Sequence, residues 1–163
     1  MKKVVIVGAS RTPMGGFHGE MSQATAPELG GAAIKGAIEK AGVKNESIDE
    51  VIMGNVLSAG QGQAPARQAS FKAGLSENVP AVTLNKMCGS GLKSIIYAHD
   101  QIKAGTNELV AAGGMESMTN APYLSPKMRA GARVGHQQMY DHMFLDGLED
   151  AYEPGRLMGT YAE

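Results

Sequence analysis

Residues 79–114, VPAVTLNKMCGSGLKSIIYAHDQIKAGTNELVAAGG, decide the fold because they hold a strand, a helix and a second strand in one run. VPAVTLN (79–85) predicts a strand, and Pro80 stands at its start, where a missing backbone donor is tolerated. A helix is predicted over 89–104 and is stopped by Gly105. NELVAAGG (107–114) predicts the next strand, so the run is typical of a strand–helix–strand crossover.

The same alternation extends back to the N-terminus. The predicted elements are a buried strand at 4–7, a loop at 9–26, a helix at 27–41, a strand around 51–53 and a short helix that ends at Gly74. Strand and helix therefore alternate four times within the first 115 residues or so. This pattern predicts an α/β fold in which helical crossovers cover a parallel sheet.

The pattern changes near residue 115, which divides the chain into two predicted domains. Residues 1–118 form the β–α alternating core domain, and 119–163 form a second region of loops and short helices near 139–147 and 155–163, with no further strand. The closing stretch GRLMGTYAE resembles the opening of a helix without a stop signal. We therefore expect the chain to be part of a longer polypeptide.

Composition and charge exclude several classes of function. The chain has 163 residues, 43% of them hydrophobic, and a net charge of −1, which suits a globular domain and argues against nucleic-acid binding. A single cysteine forms no internal disulfide and indicates a reducing compartment, for which we predict the cytoplasm. No segment is apolar and long enough for a signal peptide or a membrane span, so no membrane partner is expected.

Cys88, the only cysteine, is the main candidate for chemistry. One interpretation is a small buried hydrophobe. The other is an activated nucleophile, because Cys88 falls where strand 79–85 passes into the helix that begins near 89. Free backbone N–H groups at a helix start stabilise an anion, so we expect them to lower the thiol pKa from about 8.5 and to receive an oxyanion. Gly89 and Gly91 leave room for an acyl group, but the residues alone do not identify the base.

Other motifs fail on their spacing. GSG (89–91) lacks the outer glycine spacing of a serine-hydrolase elbow, and GQGQAP (60–65) has a proline where a dinucleotide fingerprint needs its third glycine. The four histidines do not stand at metal-ligand spacings with the cysteine, so no metal site is expected. They are His18, His99, His136 and His142.

Several motifs together resemble the N-terminal part of the thiolase family, the acetyl-CoA acetyltransferases. They are RTPMGGFHG (11–19), GQAPARQA (62–69), NKMCGSGLKS (85–94), AGGMESMTNAPY (112–123), DHMFLDGLEDAY (141–152) and MGTYAE (158–163). They occur in the order and spacing of the family and span nearly the whole chain. The resemblance implies the first half of a layered αβαβα core, followed by the beginning of a loop domain that covers coenzyme A.

The resemblance also implies an activity. Cys88 would take an acyl group from a thioester, with its own backbone N–H helping to hold the oxyanion. The reaction would be the Claisen condensation of two acetyl-CoA molecules to acetoacetyl-CoA, or the reverse thiolysis of a 3-ketoacyl-CoA. Leu148 and Met158 match positions near bound coenzyme A, whereas Leu157 replaces a histidine that many short-chain members carry. Coenzyme A thioesters are substrates, no covalently bound cofactor is implied, and a homodimer or homotetramer is expected.

Family members continue well beyond this length. Their later half carries Asn-Glu-Ala-Phe, Gly-His-Pro and Cys-x-Gly motifs, which supply an oxyanion hole, the histidine that activates the nucleophile and a second cysteine. We therefore expect residues 1–163 alone to be inactive. Two alternatives remain open: another condensing enzyme of the same fold, of the ketosynthase or hydroxymethylglutaryl-CoA synthase type, and a non-catalytic truncated subunit.

Overall fold

The computed structural model describes residues 3–163, and a three-stranded parallel sheet lies at its centre. The strands are β1 (Glu50–Gly54), β2 (Ala81–Leu84) and β3 (Val110–Gly114), in the order β2–β1–β3. In this register Gly54 at the end of β1 stands beside Leu84 on one side and Gly114 on the other. The three strands therefore end together at one edge of the sheet.

Helices α1 (Ala26–Ala41) and α2 (Pro65–Lys72) cover one face of the sheet. At the start of α1 the Thr25 N–H donates to the Glu28 carboxylate at 2.9 Å, and α1 ends at Gly42 with a φ of 66°. The two helices pack closely at Gly31, which has no side chain. A Cβ at this position would lie only 2.6 Å from Cβ of Lys72. The main core lies between these helices and the sheet; its large members are Ile34, Ile38, Ile48, Val51, Met53, Leu75, Val79 and Met115.

Helix α3 (Ser90–Ala104) packs on the opposite face of the sheet through small residues. A Cβ on Gly54 would lie 2.5 Å from the carbonyl carbon of Ser90, and one on Gly114 would lie 3.1 Å from Cα of Gly91. The close approach of Gly54, Gly91 and Gly114 is called the three-glycine contact below. It holds the first turn of α3 against the ends of β1 and β3. The layers are thus helix, sheet, helix, and the predicted α/β fold is confirmed.

The outward face of α3 carries its large apolar side chains. On the inward face Ser94 is fully buried, and its Oγ donates to Gly113 O at 2.7 Å. On the outward face Leu92 is 65% exposed. Ile95, Ile96 and Tyr97 are exposed as well. The helix therefore turns its small residues toward the sheet and its large ones away from it.

The predicted strand at residues 4–7 is wrong. Val5, Ile6 and Val7 are exposed, and no strand of the described residues pairs with them. The following Gly8 packs under α1, where an added Cβ would lie 2.5 Å from Ala37 O. The apolar composition of residues 4–7 fits a buried strand, but a strand forms only where a neighbouring strand provides partners for its backbone hydrogen bonds.

The region after β3 contains two short strands, which corrects the expectation of none. Strands β4 (Tyr123–Leu124) and β5 (Tyr140–Asp141) pair antiparallel. A π-helical turn at Phe144–Leu148 and a 3₁₀ turn at Met158–Tyr161 follow. The division between residues 118 and 119 stays a prediction. Within 3–163, no helix is both long and apolar enough to cross a membrane.

Candidate active site

The bend between β2 and α3 determines where Cys88 lies. Asn85 Oδ1 accepts a hydrogen bond from the Met87 N–H at 2.9 Å. Ser90 Oγ accepts from the Lys86 N–H at 2.8 Å and donates to Met87 O at 2.6 Å. All three hydrogen bonds lie within residues 85–90, so they hold the backbone on both sides of Cys88.

Met87 has left-handed backbone, with a φ of 48°. A residue with a Cβ pays about 1–2 kcal/mol for this conformation. The bend thus holds strain one residue before the thiol, and strain of this kind concentrates at functional sites.

Cys88 is exposed and stands immediately before Gly89, the N-cap of α3. The sequence predicted this position beside a helix start, and the structure has the thiol there. Cys88 lines an open pocket of about 410 Å³ together with Met87, Gly54, Gly91 and Gly114. Because Gly54, Gly91 and Gly114 carry no side chains, the pocket extends from the thiol across the ends of β1 and β3.

The structure brings one of the two predicted substrate contacts into this pocket. Leu148, at the end of the π-helical turn, lines it. Gly147 beside it packs against Leu57, since an added Cβ would lie 3.1 Å from Leu57 Cδ2. Met158 is half-buried and does not line this pocket, so the structure does not bring it together with Cys88.

Glu116 is a pocket residue that the sequence analysis missed. Its carboxylate accepts hydrogen bonds from Asn55 Nδ2 at 2.7 Å, from the Val56 N–H at 2.8 Å and from the Leu57 N–H at 3.1 Å. Burial raises the pKa of the Glu116 carboxyl, while the two backbone donors act in the opposite direction. The glutamate lies within the quoted AGGMESMTNAPY motif, but nothing local in that motif indicates its partners.

His142 is a second residue whose surroundings the sequence did not indicate. It is 6% exposed, its Nε2 accepts from the Ala59 N–H at 3.3 Å, and its Nδ1 lies 2.6 Å from Asp146 Oδ2. An acceptor Nε2 places the ring proton on Nδ1, which donates to the aspartate. Both ring nitrogens are thus occupied by structural hydrogen bonds, and His142 does not line the pocket of Cys88.

The arrangement suits covalent chemistry at a thiol. An exposed sulfur beside a helix start, with an apolar pocket next to it, can attack an electrophilic carbonyl and hold the resulting acyl group. Within residues 3–163, no group of three or more histidine, cysteine, aspartate or glutamate side chains could hold a metal ion.

Comparison with known proteins gives consistent matches. A family model described as "Thiolase, N-terminal domain" matches residues 4–163. An acetyl-CoA acetyltransferase of Cupriavidus necator is 53% identical over 163 residues, which cover 100% of this chain and 41% of that protein. Proteins of the same name from Pseudomonas aeruginosa and Saccharomyces cerevisiae are 50% and 51% identical, and the matches cover 100% and 99% of this chain and 41% of each relative. The chain thus spans about 41% of the length of these relatives.

Proposed function

Because the chain belongs to the thiolase family, we propose that the whole protein is an acetyl-CoA C-acetyltransferase that works through an acyl-cysteine at Cys88. It would condense two acetyl-CoA molecules to acetoacetyl-CoA, or carry out the reverse thiolysis of a 3-ketoacyl-CoA. The observation that supports this proposal is the exposed Cys88 thiol, directly before α3 and at an open pocket of about 410 Å³.

In the proposed first step the Cys88 sulfur attacks the thioester carbonyl. A bond forms between Cys88 Sγ and the acyl carbon, the thiol proton passes to a base, and the carbonyl oxygen becomes an oxyanion. The backbone N–H of Cys88 would help to stabilise that oxyanion, whereas the Gly89 and Ser90 N–H groups donate to Lys86 O at 3.1 Å and to Met87 O at 2.9 Å. When the oxyanion collapses, the bond between the acyl carbon and the sulfur of coenzyme A breaks, and the leaving thiolate takes up the proton.

In the second step another acetyl-CoA loses a proton from its methyl group and attacks the acyl carbon of acyl-Cys88. The new carbon–carbon bond gives acetoacetyl-CoA, the bond to Cys88 Sγ breaks, and the Cys88 thiolate that leaves takes up the proton removed from the methyl group. The bases for both steps are proposed to come from the family motifs that follow residue 163. For this reason we propose that residues 1–163 alone do not turn over.

Substrate binding is proposed to involve both residues that the resemblance indicates. Leu148 shares a pocket with Cys88 and would contact the part of the substrate next to the thioester. Met158 does not line that pocket, so its proposed contact is with another part of coenzyme A. The proposed assembly is a homodimer or homotetramer, in the cytoplasm, with no covalently bound cofactor.

The test is acylation of the whole protein by acetyl-CoA, followed by mass spectrometry of its peptides. We expect one acetyl group on the peptide that contains Cys88. We also expect no acetylation and no thiolysis of acetoacetyl-CoA in Cys88→Ala, with the fold retained by circular dichroism. Acetoacetyl-CoA thiolysis that persists in Cys88→Ala would overturn the proposal.

A further inference from the structure

Glu116 joins the end of the sheet to one wall of the pocket. It follows β3 by two residues and lines the pocket that contains Cys88. Its carboxylate is the acceptor for the Val56 and Leu57 N–H groups, at 2.8 Å and 3.1 Å. Hydrogen bonds to a charged acceptor are stronger than neutral ones, particularly where the group is withdrawn from water. The two N–H groups of Val56 and Leu57 thus share one side-chain acceptor, while Gln61 Nε2 donates to Leu57 O at 2.7 Å.

The fixed backbone carries part of the pocket surface. Val56 and Leu57 both line the pocket, and the Leu57 side chain contacts the Gly147 backbone that leads to Leu148. A displacement of this loop would therefore change the space between Leu57, Leu148 and the thiol. The distance from Glu116 to the reacting sulfur need not change for this to happen.

A second attachment holds the far end of the same loop. The Ala59 N–H donates to His142 Nε2 at 3.3 Å, and His142 Nδ1 donates to Asp146 at 2.6 Å. His142 lies two residues before the π-helical turn Phe144–Leu148, and Asp146 lies within it. With the far end held there, loss of Glu116 would free the Val56 and Leu57 N–H groups at the near end, where the pocket wall lies.

We propose that Glu116 is a positioning residue that sets the width of the acyl pocket and, through it, the acyl-chain preference of the reaction. This inference depends on the proposed function, because the pocket selects acyl chains only if Cys88 is acylated. Without the carboxylate, the Val56 and Leu57 N–H groups lose their acceptor and turn toward water, which widens the pocket. A pocket that rejects an extra methylene does so by about tenfold or more, so widening it favours the longer substrate by a similar factor.

The test compares two substrates in the whole protein. The kcat/KM for thiolysis is measured with acetoacetyl-CoA and with 3-ketopentanoyl-CoA, which is one methylene longer, in wild type, Glu116→Ala and Glu116→Gln. The ratio of the two values does not depend on the fraction of folded enzyme. We expect Glu116→Ala to shift the ratio about tenfold toward the longer substrate. Glu116→Gln keeps the volume but turns an amide donor toward the loop, so it should shift the ratio in the same direction by a smaller factor.

Glu28→Ala is the matched control. Glu28 also accepts a backbone hydrogen bond, from the Thr25 N–H at 2.9 Å, and contacts Lys72 at 3.2 Å, but it lies outside the pocket. Its replacement should lower stability and leave the ratio unchanged. A ratio that stays within twofold of wild type in both Glu116 variants would overturn the proposal.

A second measurement separates this proposal from the proposed function. Hydrogen exchange of the Val56 and Leu57 amides should be at least about tenfold faster in Glu116→Ala than in wild type, with or without substrate. Unchanged exchange would overturn the positioning role. Wild-type protein that neither acylates Cys88 nor cleaves acetoacetyl-CoA would instead overturn the proposed function, and with it the role in chain selection.

Discussion

Replacement of Gly54 by alanine tests whether the three-glycine contact fixes the position of α3. An ideal Cβ on Gly54 would lie 2.5 Å from the carbonyl carbon of Ser90, 2.6 Å from Ser90 Cβ and 2.7 Å from the Gly91 nitrogen. Non-bonded heavy atoms normally approach to about 3.5–4.0 Å. The start of α3 must therefore move by about 1 Å, and none of the three obstructing atoms is the end of a flexible side chain.

The expected cost follows from that overlap. Overpacking a core costs about 1–3 kcal/mol, and the upper end applies here because two of the obstructing atoms are backbone. With a urea slope of about 2 kcal/mol per M, a loss of about 3 kcal/mol lowers the unfolding midpoint by about 1.5 M. The same movement displaces Cys88, and a misplacement of about 1 Å can lower a reaction rate by about 100-fold.

The assay pairs urea unfolding with the rate of Cys88 acetylation in the whole protein. Gly16→Ala is the control, because a Cβ on the exposed Gly16 meets nothing within 4 Å and its backbone is not left-handed. The control should stay within about 0.5 kcal/mol of wild type. If Gly54→Ala matched the control in both midpoint and acetylation rate, the argument from the three-glycine contact would be refuted.

Three further predictions concern stability. Hydrogen bonds from the Thr25 N–H and hydroxyl, together with Lys72, lower the pKa of Glu28 from 4.5 to about 2. The stability that the Glu28 carboxylate contributes is therefore present above pH 4.5 and is lost as the pH falls toward 2. Urea midpoints of Glu28→Gln should fall less than those of wild type between about pH 5 and 2, and an identical fall would contradict this. Ser94→Ala removes a buried hydroxyl whose single proton serves two nearby carbonyls, Gly91 O at 2.6 Å and Gly113 O at 2.7 Å. It should cost about 1 kcal/mol by urea unfolding, whereas a neutral result would mean that the carbonyls find other donors. Arg67→Lys loses the planar guanidinium that donates to the Glu77 and Val79 carbonyls in the loop before β2. We expect a loss of about 2 kcal/mol in stability, which should lower the melting temperature by about 5 °C. An unchanged melting curve would argue against this role.

Local signals in the sequence predicted most of the core. Gly42 and Gly105 follow the last residues of α1 and α3, as expected for glycines that adopt left-handed backbone at helix ends. The predicted start of α3 at residue 89 differs by one residue from the observed start at Ser90. The neighbourhood of Cys88 was predictable for the same reason, because a strand that leads directly into a helix leaves little freedom in the bend between them.

Features that depend on distant partners were not predictable. Glu116 binds the Val56 N–H across 60 residues of sequence, and His142 binds the Ala59 N–H across 83. No periodicity or spacing records such contacts. The strand predicted at 4–7 failed for a related reason, since its apolar composition does not state whether a neighbouring strand is there to pair with it.

The left-handed backbone at Met87 affects how this bend would tolerate sequence change. Glycine at that position would relieve about 1–2 kcal/mol of steric cost but would add about 0.4–1 kcal/mol of chain entropy to the unfolded state. On balance glycine would leave folding stability unchanged or raise it by up to about 1.6 kcal/mol, while the backbone before the sulfur would be less restricted. A mutant library sorted on heat resistance alone would retain both, and one sorted on turnover would discard the glycine.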